Sequence, residues 1–165
     1  MKKIKLADFS KIKAVVTDVD GIWTNGKIWL DSAGNSFRAF YIHDGYGVKS
    51  VLKAGFKVGL ISGSNAQDIK VRAEKLGLSE IHIGVEDKLP VYEKLLLKWE
   101  LSDEEVLYIG DDQPDVEILD RVGIAVTVPN CHISLKEKDY YSTELKGGEG
   151  ALRELCDLLV EEKKG

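Results

Sequence analysis

Val15-Val16-Thr17-Asp18-Val19-Asp20-Gly21-Ile22-Trp23-Thr24 begins as an apolar, β-branched run, then breaks into two carboxylates one residue apart and a glycine. The run reads as a strand buried on both faces, as in a parallel sheet. Acids in such a strand belong at its C-terminal end, where open α/β sheets bind ligands. Side chains alternate faces along a strand, so Gly21 is needed to turn the chain and bring Asp20 beside Asp18. Two carboxylates that close repel each other and recruit a divalent cation. The plainer reading is an acidic turn after a strand, and the chain on either side decides between the two.

Directly downstream, residues 27–30 and 37–42 are apolar-aromatic runs flanking a Gly/Asn-containing turn at 31–35, which predicts a β-hairpin. Trp23, Trp29, Phe37 and Tyr41 are a heavy aromatic load for so small an insertion. The hairpin is therefore expected to pack on the domain or on another subunit. Strand and helix patterns then alternate to the end of the chain. A helix opens at His43 and stops at Gly55, a strand at 57–61 ends in Ser62-Gly63-Ser64, and a helix fills 66–76. A strand at 81–83 precedes a helix from Asp87 whose apolar stripe is Val91, Leu95, Leu96 and Trp99. A strand at 105–109 is broken by Gly110-Asp111-Asp112, and a helix at 114–122 and a strand at 124–128 follow. A glycine-rich loop at 147–150 feeds a final amphipathic helix. Such alternation predicts an α/β fold with a doubly wound parallel sheet.

Length and composition set the outer bounds. The 165 residues fit one domain, and 44% hydrophobic with 31% charged residues is ordinary for a globular chain. A net charge of −5 argues against nucleic acid or an anionic membrane as the main partner. Lys2, Lys3, Lys5, Lys163 and Lys164 form short basic tufts, read as solvated ends. No signal-peptide core or membrane-spanning run occurs, and Cys131 and Cys156 lack metal-ligand spacing, so a cytoplasmic protein with reduced thiols is expected. Neither GxxxxGK[ST] nor GxGxxG is present, and nucleotide binding has no support.

Polar residues stand at four successive strand ends: Asp18 and Asp20, Ser62, the Lys88 loop, and Asp111, Asp112 and Asp115. A parallel sheet puts all its strand C-termini on one edge, so these residues converge on one crevice. Carboxylates for one divalent cation, a hydroxyl, an exposed backbone and a lysine suit a phosphate ester, whose charge must be neutralised before a carboxylate can attack. Taken singly, Ser62 could cap a turn or helix, and Asp112 could cap the helix at 114. Lys88 opposes the dipole of its own helix, which favours a site role over a solvated one. A phospho-receiver domain would carry its acidic pair first and a lone aspartate in mid-chain, where this chain offers Ser62. A catalytically idle oligomerisation module is disfavoured because every acid of the set, and Lys88, is present.

The ordered set Asp18-x-Asp20-Gly21-x-x-Thr24, hydrophobic-Ser62-Gly63, Asp87-Lys88 and Gly110-Asp111-Asp112-x-x-Asp115 resembles the haloacid dehalogenase-like phosphatases over nearly the whole chain. The stretches 44–47 (DGYG), 84–89 (GVEDKL), 108–115 (YIGDDQPD), 121–126 (RVGIAV) and 147–155 (GGEGALREL) are similar to those of the keto-sugar-acid phosphatases within it. That group includes the 3-deoxy-D-manno-octulosonate 8-phosphate (KDO 8-phosphate) phosphatases. The resemblance implies a three-layer fold with a small hairpin and no large cap domain. It also implies a homotetramer in which a neighbouring subunit completes the active site. It makes Asp18 the nucleophile and Asp20 the acid–base. Mg²⁺ would be held by Asp18, the Asp20 backbone carbonyl and Asp111. Ser62 and the Gly63 N–H would hold phosphate, Lys88 would neutralise charge, and Asp112 and Asp115 would support the site. One departure stands out: KDO 8-phosphate phosphatases usually carry arginine where this chain has Ser64. Arg72 and Lys75, on the following helix, are the candidates to replace it as carboxylate-binding cations. The stretch 72–76 (RAEKL), with Trp23 in the first motif, also resembles the phosphatases of nine-carbon keto acids (KDN 9-phosphate, N-acylneuraminate 9-phosphate), so such a substrate is the alternative.

Overall fold

The computed structural model describes residues 1–165. Strands β1 (Lys2–Lys3) and β2 (Ala14–Thr17) precede a hairpin of β3 (Trp29–Leu30) and β4 (Ser36–Phe37). Next come α1 (Ile42–Lys53), β5 (Lys57–Ile61), α2 (Gln67–Leu76), β6 (Glu80–His82) and α3 (Lys88–Trp99). β7 (Val106–Ile109), α4 (Val116–Leu119), β8 (Ile124–Thr127), α5 (Ile133–Lys136), β9 (Tyr141–Ser142) and α6 (Ala151–Glu162) complete the chain. Seven strands form one sheet in the order β1-β9-β8-β7-β2-β5-β6, and every pairing is parallel. The fold is α/β, as the alternation predicts.

The strand order dictates where the ligand site lies. From β2 the chain steps through α1 and α2 toward β6, then returns through α3 to β7 and proceeds the other way to β8 and β9. Right-handed crossovers put α1 and α2 on one face and α3 and α4 on the other. The direction reverses between the neighbours β2 and β7, which opens a crevice beyond their C-terminal ends. Register brings those ends level: Thr17 pairs with both Leu60 and Ile109. The central strands β2 and β7 are buried throughout, and 39 buried apolar residues form one continuous core.

The structure revises several local expectations. The hairpin exists, but each strand is two residues long, with Trp29 opposite Phe37. Trp23 does not belong to it: the indole is buried in the core and donates to Thr17 Oγ1 at 3.1 Å. The N-terminal basic tuft is not a free end, because Lys2–Lys3 is the edge strand beside β9 and Lys2 Nζ pairs with Asp139 at 2.7 Å. Neither β1 nor β9 was expected, since two-residue strands carry no period to read. The helix expected at 114–122 is a 3₁₀ turn over Gln113–Asp115 followed by the single turn of α4.

The glycine loop before α6 packs against the turn that follows β2. A Cβ on Gly147 would lie 1.6 Å from the Gly21 carbonyl oxygen, and Gly148 N–H donates to the Ile22 carbonyl at 2.9 Å. Gly147→Ala is therefore expected to push the Asp20–Gly21 turn out of place, costing about 2–4 kcal/mol and lowering Tm by about 5–15 °C. A variant melting within a degree or two of the parent would show that the two loops do not need this contact.

Candidate active site

Asp18 is the first residue beyond β2, its N–H donating to the Ile109 carbonyl at 3.0 Å. Lys88, the first residue of α3, is 6% exposed and reaches back to Asp18 Oδ1 and to Asp115 Oδ1, each at 2.7 Å. Asp115 is saturated: Tyr108 Oη donates to Oδ1 at 2.6 Å, and the N–H groups of Asp111 and Asp112 donate to Oδ2 at 3.0 and 3.2 Å. Asp18 Oδ2 and the Asp111 carboxylate are left to face the crevice. Gly21 explains how Asp111 comes so near: its φ is +89°, and a Cβ there would sit 2.0 Å from Asp111 Oδ2.

Ligand oxygens of Asp18, Asp111 and Asp115 lie within 4.8 Å of one another. Three carboxylates against the single Lys88 ammonium leave the cluster two positive charges short, the charge of a divalent cation. Burial first, then the neighbouring carboxylates, pushes the Asp18 carboxyl up to about 7 and that of Asp111 up to about 8. Burial works against the Lys88 ammonium, yet Asp18 and Asp115 outweigh it and its pKa is raised. The carboxylates of Asp18 and Asp111 therefore fit a hard cation that takes oxygen ligands. Asp115 serves to hold Lys88 and the loop that carries Asp111.

The crevice has a volume of about 560 Å³, and Val85 is its one apolar lining residue. Asp20, Ser62, Gly63 and Asp112 also line it. Ser62 is 1% exposed, and its Oγ accepts the Ser64 N–H at 3.2 Å. Asp112 caps the turn that follows, its Oδ1 accepting from Gln113 N–H at 2.7 Å in a reciprocal box with Asp115. A wall so poor in hydrophobic side chains suits a hydrophilic anion better than an apolar ligand.

The two remaining candidates sit elsewhere in the protomer. Arg72 lies in a second crevice between α1 and α2 with Gly45, Tyr46 and Lys49, and Lys75 is exposed on α2. Asp44 of the 44–47 stretch ties α1 to α6: its Oδ1 accepts the Arg153 N–H at 2.8 Å, in the first turn of α6. Burial above all pushes its carboxyl up to about 6.

Asp20 does not join the carboxylate cluster. Its side chain turns to Arg38, just beyond β4, which also donates to Ser64 Oγ at 2.9 Å. A guanidinium thus stands beside position 64 after all, supplied by the hairpin. Sequence reading missed both Arg38 and Tyr108. The signal for Arg38 was a lone cation inside the alternation 36–40; Tyr108 looked like one more apolar residue of β7.

A family profile for haloacid dehalogenase-like hydrolases matches residues 61–155. The 3-deoxy-D-manno-octulosonate 8-phosphate phosphatase of Yersinia pestis is 37% identical over 92% of this chain and 81% of its own length. The crystal structure of the Yersinia pestis phosphatase superposes with a TM-score of 0.92 at 36% identity, over 94% of this chain and 84% of that one. The Moraxella catarrhalis phosphatase, solved in complex with magnesium ion, phosphate ion and KDO, superposes with a TM-score of 0.88 at 35% identity, over 93% and 88%. The chain belongs to the haloacid dehalogenase-like hydrolase family. Its enzyme class is that of the phosphoric monoester hydrolases.

The raised carboxyls give a pH dependence of defined sign. Between the ordinary 3.8 and the folded-state values of about 7 and about 8, the folded chain holds protons that the unfolded chain has released. Without a cation, stability therefore falls as pH rises through that window. A cation competes with those protons and binds more tightly as they leave. Saturating Mg²⁺ should raise Tm more at about pH 8.5 than at about pH 6. A larger shift at the lower pH, read by thermal denaturation with and without the ion, would remove Asp18 and Asp111 as its ligands.

Proposed function

We propose that the protein is a Mg²⁺-dependent phosphatase of a keto sugar acid phosphate, hydrolysing KDO 8-phosphate to KDO and phosphate. The observation that carries this reading is the Asp18–Lys88–Asp115 cluster with Asp111, two positive charges short and facing an open polar crevice. The named relatives, and the KDO seen in the Moraxella catarrhalis complex, support the eight-carbon acid. Arg72 and Lys75, the cations on which a nine-carbon substrate would draw, lie outside the crevice of their own protomer.

In this mechanism Asp18 attacks phosphorus as its bond to the sugar oxygen breaks. The bonding pair leaves on the sugar oxygen, and Asp20 supplies the proton that oxygen needs. The phosphoryl group then resides on Asp18. Asp20 takes a proton from the water that attacks it, which returns free Asp18 and phosphate. Ser62 Oγ and the Gly63 N–H hold the phosphoryl oxygens, and the Lys88 ammonium offsets their charge as they move. Mg²⁺, held by Asp18, the Asp20 carbonyl and Asp111, would supply charge neutralisation at the phosphoryl group.

The partner is a small-molecule sugar phosphate together with further copies of this chain, a homotetramer by resemblance. Trp29 (68% exposed), Leu30 (73%) and Phe37 (55%) on the hairpin offer the apolar surface for that contact.

Phosphate release from KDO 8-phosphate and KDN 9-phosphate, with Mg²⁺ and with EDTA, tests the substrate. The eight-carbon ester should turn over faster, and EDTA should abolish both rates. Asp18→Asn should lower kcat by more than about 100-fold with the fold intact; a variant that keeps more activity would mean that another group attacks. Trp29→Ser with Leu30→Ser should reduce the assembled mass in light scattering, and an unchanged mass would move the interface off the hairpin.

A further inference from the structure

The hairpin's contribution to the crevice is Arg38. Alternation turns it away from the exposed Phe37 ring, and its side chain is 2% exposed. Nε–H donates to Asp20 Oδ1 at 2.7 Å and Nη2–H to Asp20 Oδ2 at 3.0 Å, a two-bond fork onto one carboxylate. Nη2 also donates to Ser64 Oγ at 2.9 Å, and Nη1 stands 3.4 Å from Asp68 Oδ1. One guanidinium thus joins the turn after β2, the loop after β5, the start of α2 and the hairpin.

Nothing else on Asp20 matches that hold. Thr24 Oγ1 lies 3.4 Å from Asp20 Oδ1 and spends its other contacts on the Gly21 and Gly26 N–H groups. A planar fork fixes both the distance and the plane of a carboxylate, which a single hydroxyl at that range does not. Asp68 flanks the guanidinium on the other side, with Oδ2 buried and without a hydrogen-bond partner. Arg38 reaches the other oxygen, Oδ1, which also accepts the Ile69 N–H at 2.9 Å.

We propose that Arg38 is a positioning residue for the reaction: seated by Ser64 and Asp68, it aims the Asp20 carboxyl at the leaving oxygen. The proposal rests on the role given to Asp20 above. Arg38 itself transfers nothing and stays protonated throughout, as guanidinium does in proteins. Its work is orientation, and a displacement of about 1 Å in a catalytic group can cost about 100-fold.

The signature is dependence on the leaving group. A sugar or glycerol alkoxide must be protonated as it departs, whereas nitrophenolate leaves without a proton. Arg38→Ala and Arg38→Lys should lower kcat on KDO 8-phosphate and on glycerol 2-phosphate by about 10–100-fold, with KM changed by less than about threefold. The loss on p-nitrophenyl phosphate should be at least about tenfold smaller. Lysine, which offers one bond in place of the fork, should lose less than alanine. Ser64→Ala, which loosens the seat without touching Asp20, should show the same split in weaker form. Equal losses on all three esters would overturn the proposal and make Arg38 a support of the fold or of the phosphate pocket. A rise in KM confined to KDO 8-phosphate, with kcat intact, would also overturn it, since Arg38 would then be binding the substrate carboxylate. Should the wild-type enzyme cleave glycerol 2-phosphate and p-nitrophenyl phosphate but not KDO 8-phosphate, the substrate reading fails alone, and the split between the first two still judges Arg38.

Discussion

The Lys88 ammonium, buried between Asp18 and Asp115, is the interaction on which the rest of the site depends. Desolvation opposes a charge there, and only two carboxylates at 2.7 Å make it tolerable. Ion pairs of this kind add little net stability compared with an apolar cluster of the same volume, whereas breaking one costs about 3–5 kcal/mol. The cluster is therefore better understood as placement of charge than as glue. Asp115 is so thoroughly satisfied that it acts as a fixed post, with Tyr108, Lys88 and two backbone N–H groups gathered on it. Around that post, Asp18 and Asp111 are kept close enough to repel.

Backbone geometry is what keeps them there. Register levels the ends of β2, β5 and β7, and the reversal of chain direction between β2 and β7 leaves their loops diverging over an open edge. The turn after β2 is then compressed from two sides. Asp111 occupies the space where a side chain on residue 21 would project, and Gly147 presses on the carbonyl of that same residue. A loop near the end of the chain thus sets the position of a turn near its start. That contact explains why the glycine-rich run at 147–150 belongs with the site although none of its residues lines the crevice.

How much of this was legible in the sequence follows from where each residue gets its position. Asp18, Ser62 and Asp111 are placed by strand ends and Lys88 by the start of α3, and such ends announce themselves where apolar runs meet polar or glycine residues. Local pattern therefore sufficed for them, and the parallel sheet followed from the alternation. Arg38 and Tyr108 are placed by tertiary contact. Tyr108 is buried like its aliphatic neighbours in β7 and only its hydroxyl marks it out as polar, and Arg38 lies beside a hairpin whose strands are too short to show a period. Trp23 was misassigned because its number set it beside the hairpin, while the turn after Gly21 folds it back onto Thr17. The edge pair β1 and β9 escaped notice because the basic residues of β1 do point to solvent, as solvated ends would.

The hairpin shows how one short element serves two surfaces. Trp29 and Phe37 face each other across its ladder and remain exposed, while Arg38, one residue on, is buried against Asp20. A two-residue ladder is too weak to hold such a strand by itself. Inside the protomer, the fork to Asp20 and the bond to Ser64 anchor it; outside, an apolar pair waits for cover. In the proposed assembly a second copy of the chain supplies that cover, so the strand is held from both sides at once. The Asp20 carboxyl is then tied to subunit contact through a single residue step, from Phe37 at the end of β4 to Arg38. Asp18, Lys88 and Asp115 carry no such dependence, because they are held by one another, by Tyr108 and by the backbone N–H groups of the loop after β7.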